Sequence, residues 1–137
     1  MSVSSQFPFS WRIRVYWEDT DAGGVVYHAS YLRFLERART EWLRDRGIEQ
    51  TRVRSEHGVV FVVYGMELRF RRPAVLDDEM DATVRVVARK AAALEFAQSL
   101  VRVTDGAVLV DAVVRVACVG SEDFRPTPIP PNLIREG

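Results

Sequence analysis

The chain of 137 residues has one cysteine, two histidines and no surplus of either charge, with Lys plus Arg and Asp plus Glu both totalling 19. A single cysteine, Cys118, excludes an intramolecular disulfide and a cysteine-ligated metal cluster, and fits a reducing compartment. Zero net charge argues against a broad electrostatic footprint for nucleic acid. No apolar run approaches the 18 or so residues of a membrane span, and the opening MSVSSQFPFSW has neither a basic segment nor a continuous apolar one. These absences predict a cytoplasmic protein with no membrane span. Motifs are missing too: there is no G-x-S-x-G nucleophile elbow, and Gly23-Gly24 lacks the third glycine of a dinucleotide fingerprint. Asp19, Asp21, His28 and His57 show neither the spacing of a zinc site nor that of a calcium loop, so no metal and no cofactor is expected.

What remains is enough for one domain over residues 1–137. Hydrophobic content of 47% can build a core without disulfides or metal. Residues 1–10 read as a lead-in. Trp11, Ile13, Val15 and Trp17 alternate with Arg12, Arg14, Tyr16 and Glu18, the pattern of a strand with one buried face. It stops at Asp19-Thr20-Asp21, and Gly23-Gly24 supplies a turn. Tyr27, Tyr31, Leu35, Ala38 and Trp42 then recur at helical spacing, which predicts a helix from His28 to Arg46 closed by Gly47.

Glu49 to Glu56 reads as a polar loop. His57 to Arg72 reads as a long strand, apolar on both faces over Val59–Tyr64 and alternating from Met66 to Arg71, until Pro73 ends it. Further strands are expected around Met80–Arg89, Leu94–Thr104 and Val108–Cys118, the last two joined by a two-residue turn at Asp105-Gly106. Four proline residues in the final stretch predict an irregular tail. Short connections imply a largely antiparallel sheet, with the long helix laid across one face. The other face, with Val60, Val62 and the Ala/Val-rich final strands, reads as too apolar for water, which predicts a homodimer.

The residues of chemical interest cluster between Trp17 and Ser30. Asp21 follows a strand and precedes a helix start, where unpaired N–H groups and the helix dipole favour negative charge. A carboxylate beside such an amide is a minimal apparatus for splitting an ester or thioester, and it is equally the pattern of a capping or turn carboxylate. Asp19 and Glu18 read as solvated or supporting. His28 offers a backbone N–H whatever its imidazole does. Glu56 and His57, at the start of the long strand, are candidates for the substrate mouth. Arg69, Arg71, Arg72, Arg85 and Arg89 read chiefly as solvated strand faces, with phosphate binding the alternative.

The block YWEDTDAGGVVYHASYLRFLERAR at residues 16–39 resembles the signature of the hot-dog-fold acyl-CoA thioesterases, of the 4-hydroxybenzoyl-CoA thioesterase class and its Tol-Pal-associated branch. RRPAVLDD at 71–78, Phe96 with Gln98, and VRVACV at 114–119 match as well. The resemblance implies an α+β hot-dog fold, a five-stranded antiparallel sheet wrapped around one long helix. It also implies a homodimer or homotetramer with active sites at the subunit interface. By the same resemblance Asp21 is the catalytic carboxylate and the His28 amide polarises the thioester carbonyl. Val25, Val26 and Tyr27 shape the approach, and Tyr31 is a pocket or packing residue. The implied activity is hydrolysis of short- to medium-chain or aryl acyl-CoA, with acyl carrier protein as another carrier. A hydratase or dehydratase on acyl thioesters and a non-catalytic acyl-CoA binder are the alternatives.

Overall fold

A computed structural model describes residues 9–131, 133 and 134. The elements are β1 (Phe9–Arg14), α1 (His28–Asp45), α2 (Gln50–His57), β2 (Val59–Phe70), β3 (Glu79–Lys90), β4 (Ala93–Arg102) and β5 (Val108–Gly120), with a 3-10 turn at Trp17–Asp19. The five strands form one sheet in the order β1-β3-β4-β5-β2, and every neighbouring pair is antiparallel. The expected α+β architecture is therefore present, with a second helix added.

The centre of the structure is the apolar stripe of α1. Tyr31, Phe34, Leu35, Ala38, Trp42 and Leu43 are buried, and they meet the inward residues of the sheet, Met80, Ala82, Val84, Leu94, Phe96, Leu100 and Val114. Trp42 sets its edge against Phe96 with ring centres 5.3 Å apart, a favoured aromatic geometry. A polar rivet crosses this interface. Gln98, 2% exposed, donates to Leu35 O at 3.1 Å and Thr83 O at 3.3 Å and accepts from Arg39 at 3.0 Å. A buried amide with all its partners is tolerated, and here it fixes the helix at one height on the sheet.

The helix ends within one residue of the expected point. Gly47, at φ 77°, lets Ile48 N–H reach Leu43 O and Gly47 N–H reach Arg44 O, which satisfies the last carbonyls of the helix. The stretch read as a loop is instead α2, and His57 is its last residue, not the start of a strand. Only Val53 of α2 is buried, so the segment carries no periodic apolar signal. Gly58 at φ 66° turns the chain into β2.

Other expectations change as well. The first strand runs from Phe9 to Arg14; Trp17 lies in the 3-10 turn and is 80% exposed. Val63 and Tyr64 are exposed, not buried on both faces, because β2 is an edge strand within the chain. The outer sheet face is also more polar than the valines suggested. Arg12 pairs with Asp81, Arg71 with Asp111, and Arg115 with both Glu67 and Glu95, while Ser99 donates to Asp111. The tail folds back on the sheet, with Thr127 N–H on Cys118 O and Ile129 N–H on Ala91 O.

The β4–β5 connection is a loop over 103–107, not a two-residue turn. Gly106 takes φ 71°, its N–H reaches Arg102 O, and Arg102 N–H reaches Ala107 O. Asp105 accepts from both the Arg102 guanidinium and Ala107 N–H. The Arg102 contact is the main cause that pushes the Asp105 carboxyl down from the usual 3.8 to about 2. A depressed carboxyl favours the folded state above its unfolded pKa and loses that contribution as pH falls through the folded one. Asp105→Asn is thus expected to be less stable than the parent at neutral pH, with the gap constant above 3.8 and closing as pH approaches about 2. Urea titrations of both proteins across that range measure it.

Candidate active site

Between β1 and α1 the chain makes a tight excursion that doubles back on itself. Thr20 bridges Val26 antiparallel, and Val25 bridges Val75. Asp21 N–H donates to Val25 O at 2.9 Å, and Gly24 N–H donates to Asp21 O at 3.0 Å. Gly24 has φ 84°, a conformation most side chains resist. At Gly23 an added Cβ would lie 3.2 Å from Asp21 Oδ1, closer than side chains normally pack. The glycine pair therefore does two jobs: one residue turns the chain and the other lets an amide approach the carboxylate.

Asp21 is exposed. Its Oδ1 accepts Gly23 N–H at 2.8 Å, which fixes the carboxylate plane while the second oxygen remains available. Val26 is buried, Val25 partly so, and Tyr27 is exposed. All three lie on the return arm of the excursion that carries Asp21. Tyr27 is the N-cap of α1 and His28 its first residue, without a side-chain cap. The His28 N–H precedes the first residue that the helix can pair internally, so it is a donor at the positive end of the helix dipole. The His28 ring rests against the Tyr27 ring at 4.5 Å between centres.

Asp19 is not a solvated neighbour. It is 3% exposed, its Oδ2 accepts Tyr16 N–H at 2.9 Å, and Arg33 lies 3.5 Å from Oδ1. Its carbonyl accepts Tyr27 N–H at 2.8 Å and the Ser30 hydroxyl at 3.3 Å. Ser30 and Arg33 sit on the stretch read only as helix, and the sequence pattern carries no signal for their link to Asp19.

A second brace comes from the β2–β3 connection. The Tyr31 hydroxyl accepts Ala74 N–H at 3.0 Å, and Ala74 O accepts Val26 N–H at 2.9 Å. Tyr31 is 4% exposed and packs its ring on Phe70 and edge-on to Phe34. Burial pushes its hydroxyl pKa up, and the Ala74 N–H partly opposes that. Tyr31 thereby ties α1 to the segment that holds the return arm.

Glu56 and His57 stand apart from this group. They close α2 and line a small cleft with Gly47 and Ile48, at the C-terminal end of α1. Asp21 and His28 lie at its N-terminal end, and 18 helical residues span about 27 Å. One chain does not bring the two sets together. A further cleft of about 140 Å³ lies along the second half of α1, lined by Arg39, Leu43, Phe61, Val63, Phe96 and Val116 among others. Burial lowers the Arg39 pKa there, with Glu36 opposing. Among the described residues no group of three or more His, Cys, Asp or Glu side chains is placed to hold a metal ion, and no helix is long and apolar enough to cross a membrane.

Removing the Tyr31 hydroxyl leaves Ala74 N–H without its buried acceptor, a loss of about 1–3 kcal/mol. Tyr31→Phe is expected to lower stability by that amount in chemical denaturation, with the ring packing unchanged.

Comparisons with known proteins agree on one kinship. Residues 15–136 match the model of the thioesterase-like superfamily. The chain is 41% identical over 128 residues to the acyl-CoA thioester hydrolase YbgC of Escherichia coli O6:H1, covering 93% of this chain and 94% of the relative. It is 44% identical to the acyl-CoA thioesterase YbgC of Haemophilus influenzae, covering 91% and 90%. Among solved structures, a probable thioesterase from Bartonella henselae superposes with a TM-score of 0.85 at 37% identity, covering 90% of this chain and 99% of that one.

Proposed function

The chain belongs to the thioesterase-like superfamily, and we propose that it hydrolyses acyl-CoA thioesters with Asp21 and the His28 amide as its reacting centre. The observation that carries this is the Thr20–Val26 bridge. It closes one short excursion that holds an exposed, pre-oriented carboxylate and ends on the free N–H of a helix N-terminus. The relatives named as acyl-CoA thioester hydrolases supply the substrate class.

In this reading the thioester carbonyl oxygen accepts the His28 N–H, and the charge that develops on it is stabilised by a donor already in place. Asp21 Oδ2 either attacks the carbonyl carbon or takes a proton from the attacking water. The first route expels the carrier thiolate and leaves a mixed anhydride on Asp21 that water hydrolyses, regenerating the carboxylate; in the second the water oxygen adds to the carbonyl carbon and the thiolate departs. A thiolate leaves easily, so no side-chain acid is required. Gly23 N–H on Oδ1 keeps the carboxylate facing the same way in either case.

His28 is the first residue of α1, and Tyr27 before it is extended at φ −63° and ψ 133°. Proline is at home at a first helical position after an extended residue, and it removes only the N–H. His28→Pro is therefore expected to cut kcat by about a hundredfold with the fold kept, while His28→Ala stays within about tenfold. Asp21→Asn is expected to lose more than about a hundredfold. Thiol release across acyl-CoA chain lengths, with acyl carrier protein thioesters in parallel, measures all three. Thiol release by the parent chain separates hydrolysis from hydration and from binding without turnover. Equal rates for parent and Asp21→Asn would sink the assignment.

The outer edge of β2 supports a homodimer. That edge, unpaired among the described residues and carrying Val63 at 44% and Tyr64 at 58% exposure, is a long template that natural proteins normally cover. A second copy adding its own β2 covers both edges by one symmetric contact, and a tetramer is a further pairing of such dimers. A second copy is also the route by which Glu56 and His57 would approach another chain's Asp21. Val63→Lys with Tyr64→Lys is expected to shift the mass measured by light scattering from dimer to monomer and to lower activity. A fully active monomeric parent protein would overturn this part.

A further inference from the structure

The reactive pair depends on a direction, that of the His28 N–H. This N–H shares a planar peptide unit with the Tyr27 carbonyl, so whatever fixes the carbonyl aims the amide. Ser30 N–H holds that carbonyl at 2.8 Å. Ser30, 1% exposed, is itself held by its hydroxyl, which donates to Asp19 O at 3.3 Å and accepts from Arg33 Nη2 at 2.8 Å. Arg33 closes the circuit by pairing with Asp19 Oδ1 at 3.5 Å. Asp19 in turn holds Tyr27 N–H on its carbonyl and stands two residues before Asp21.

We propose that Arg33, acting through Ser30 and Asp19, is a positioning residue that sets the His28 amide against the Asp21 carboxylate. The backbone bonds of the excursion fix its two arms to each other. Side chains of α1 tie the helix to those arms: Tyr31 reaches the return arm through Ala74, and the Arg33–Ser30–Asp19 circuit joins the first and second turns of the helix to the outgoing arm. Arginine suits this role because one planar guanidinium nitrogen meets a hydroxyl and a carboxylate at once, where an ammonium group is a freely turning point charge. The Arg33 side chain is 49% exposed but that of Asp19 only 4%, so losing the guanidinium leaves a buried carboxylate with hydrogen bonds and no counter-charge, which costs stability as well as geometry. A misplacement of about 1 Å between reacting groups costs up to about a hundredfold in rate.

The inference rests on the reading of Asp21 and His28 above, and the test keeps the two apart. Arg33→Met is expected to lower kcat by about tenfold to a hundredfold, with KM within about twofold of the parent, at a temperature where the variant is fully folded. Arg33→Lys, which keeps the charge, recovers part of kcat. Ser30→Ala combined with Arg33→Met loses little more than Arg33→Met alone, since both act along one route. Each variant's Tm sets the assay temperature below it, and Arg33→Lys, which keeps a counter-charge for Asp19, serves where Arg33→Met is too unstable. Unchanged kcat in Arg33→Met overturns the proposal, as does a kcat loss that disappears once the rate is corrected for the folded fraction. A raised KM at unchanged kcat makes Arg33 a direct substrate contact and overturns it too. An active Asp21→Asn control removes the underlying reading instead.

Discussion

The constraint on which the rest depends is that α1 buries one long apolar stripe against one face of the sheet and must leave its N-terminus unpaired. Phe34, Leu35 and Ala38 are wholly buried, so the helix cannot slide or roll without opening the core. Gln98 adds a polar stop, since moving the helix along the sheet would strand a buried amide. That packing sets the height and the face of the first turn, and the contacts between α1 and the excursion set the aim of the His28 N–H.

The excursion from Asp19 to Tyr27 works only because both of its ends are tied to this fixed helix. On one side Asp19 collects Tyr16 N–H, Tyr27 N–H, the Ser30 hydroxyl and Arg33. On the other, Ala74 links Tyr31 to Val26. A buried carboxylate is costly unless paired and hydrogen-bonded, and Asp19 is both. The exposed carboxylate two residues on is held by one glycine amide and otherwise left open. Two aspartates of one short run thus take opposite roles because one faces the core and the other faces away.

Much of this is legible in the sequence. The helix boundary at His28 and the closing glycine follow from periodicity and capping. The alternation in β4 and β5 identifies their inward residues, and Gln98 falls on the inward face. The segment from Gln50 to His57 escapes such reading for a physical reason: with Val53 alone buried, it has no stripe to read, and its helicity comes from position against β2 and a glycine stop. The valines of β2 mislead because a run apolar on both faces reads as central, whereas within this chain the strand lies at the edge.

By itself the sequence determined the local elements, the strand–turn–helix order around Asp21 and the residue types available for chemistry, because these depend on period and turn propensity over a few residues. It also determined, by resemblance, the thioesterase-like family. Only the tertiary structure decided that Asp19 is buried, that Arg33 and Ser30 reach it, and that Tyr31 is joined to Ala74. It likewise decided that Glu56 and His57 lie at the other end of α1 from Asp21. These facts depend on how far and at what angle one helix lies across a sheet. That angle is set by the summed packing of side chains distant in sequence, which no local pattern encodes.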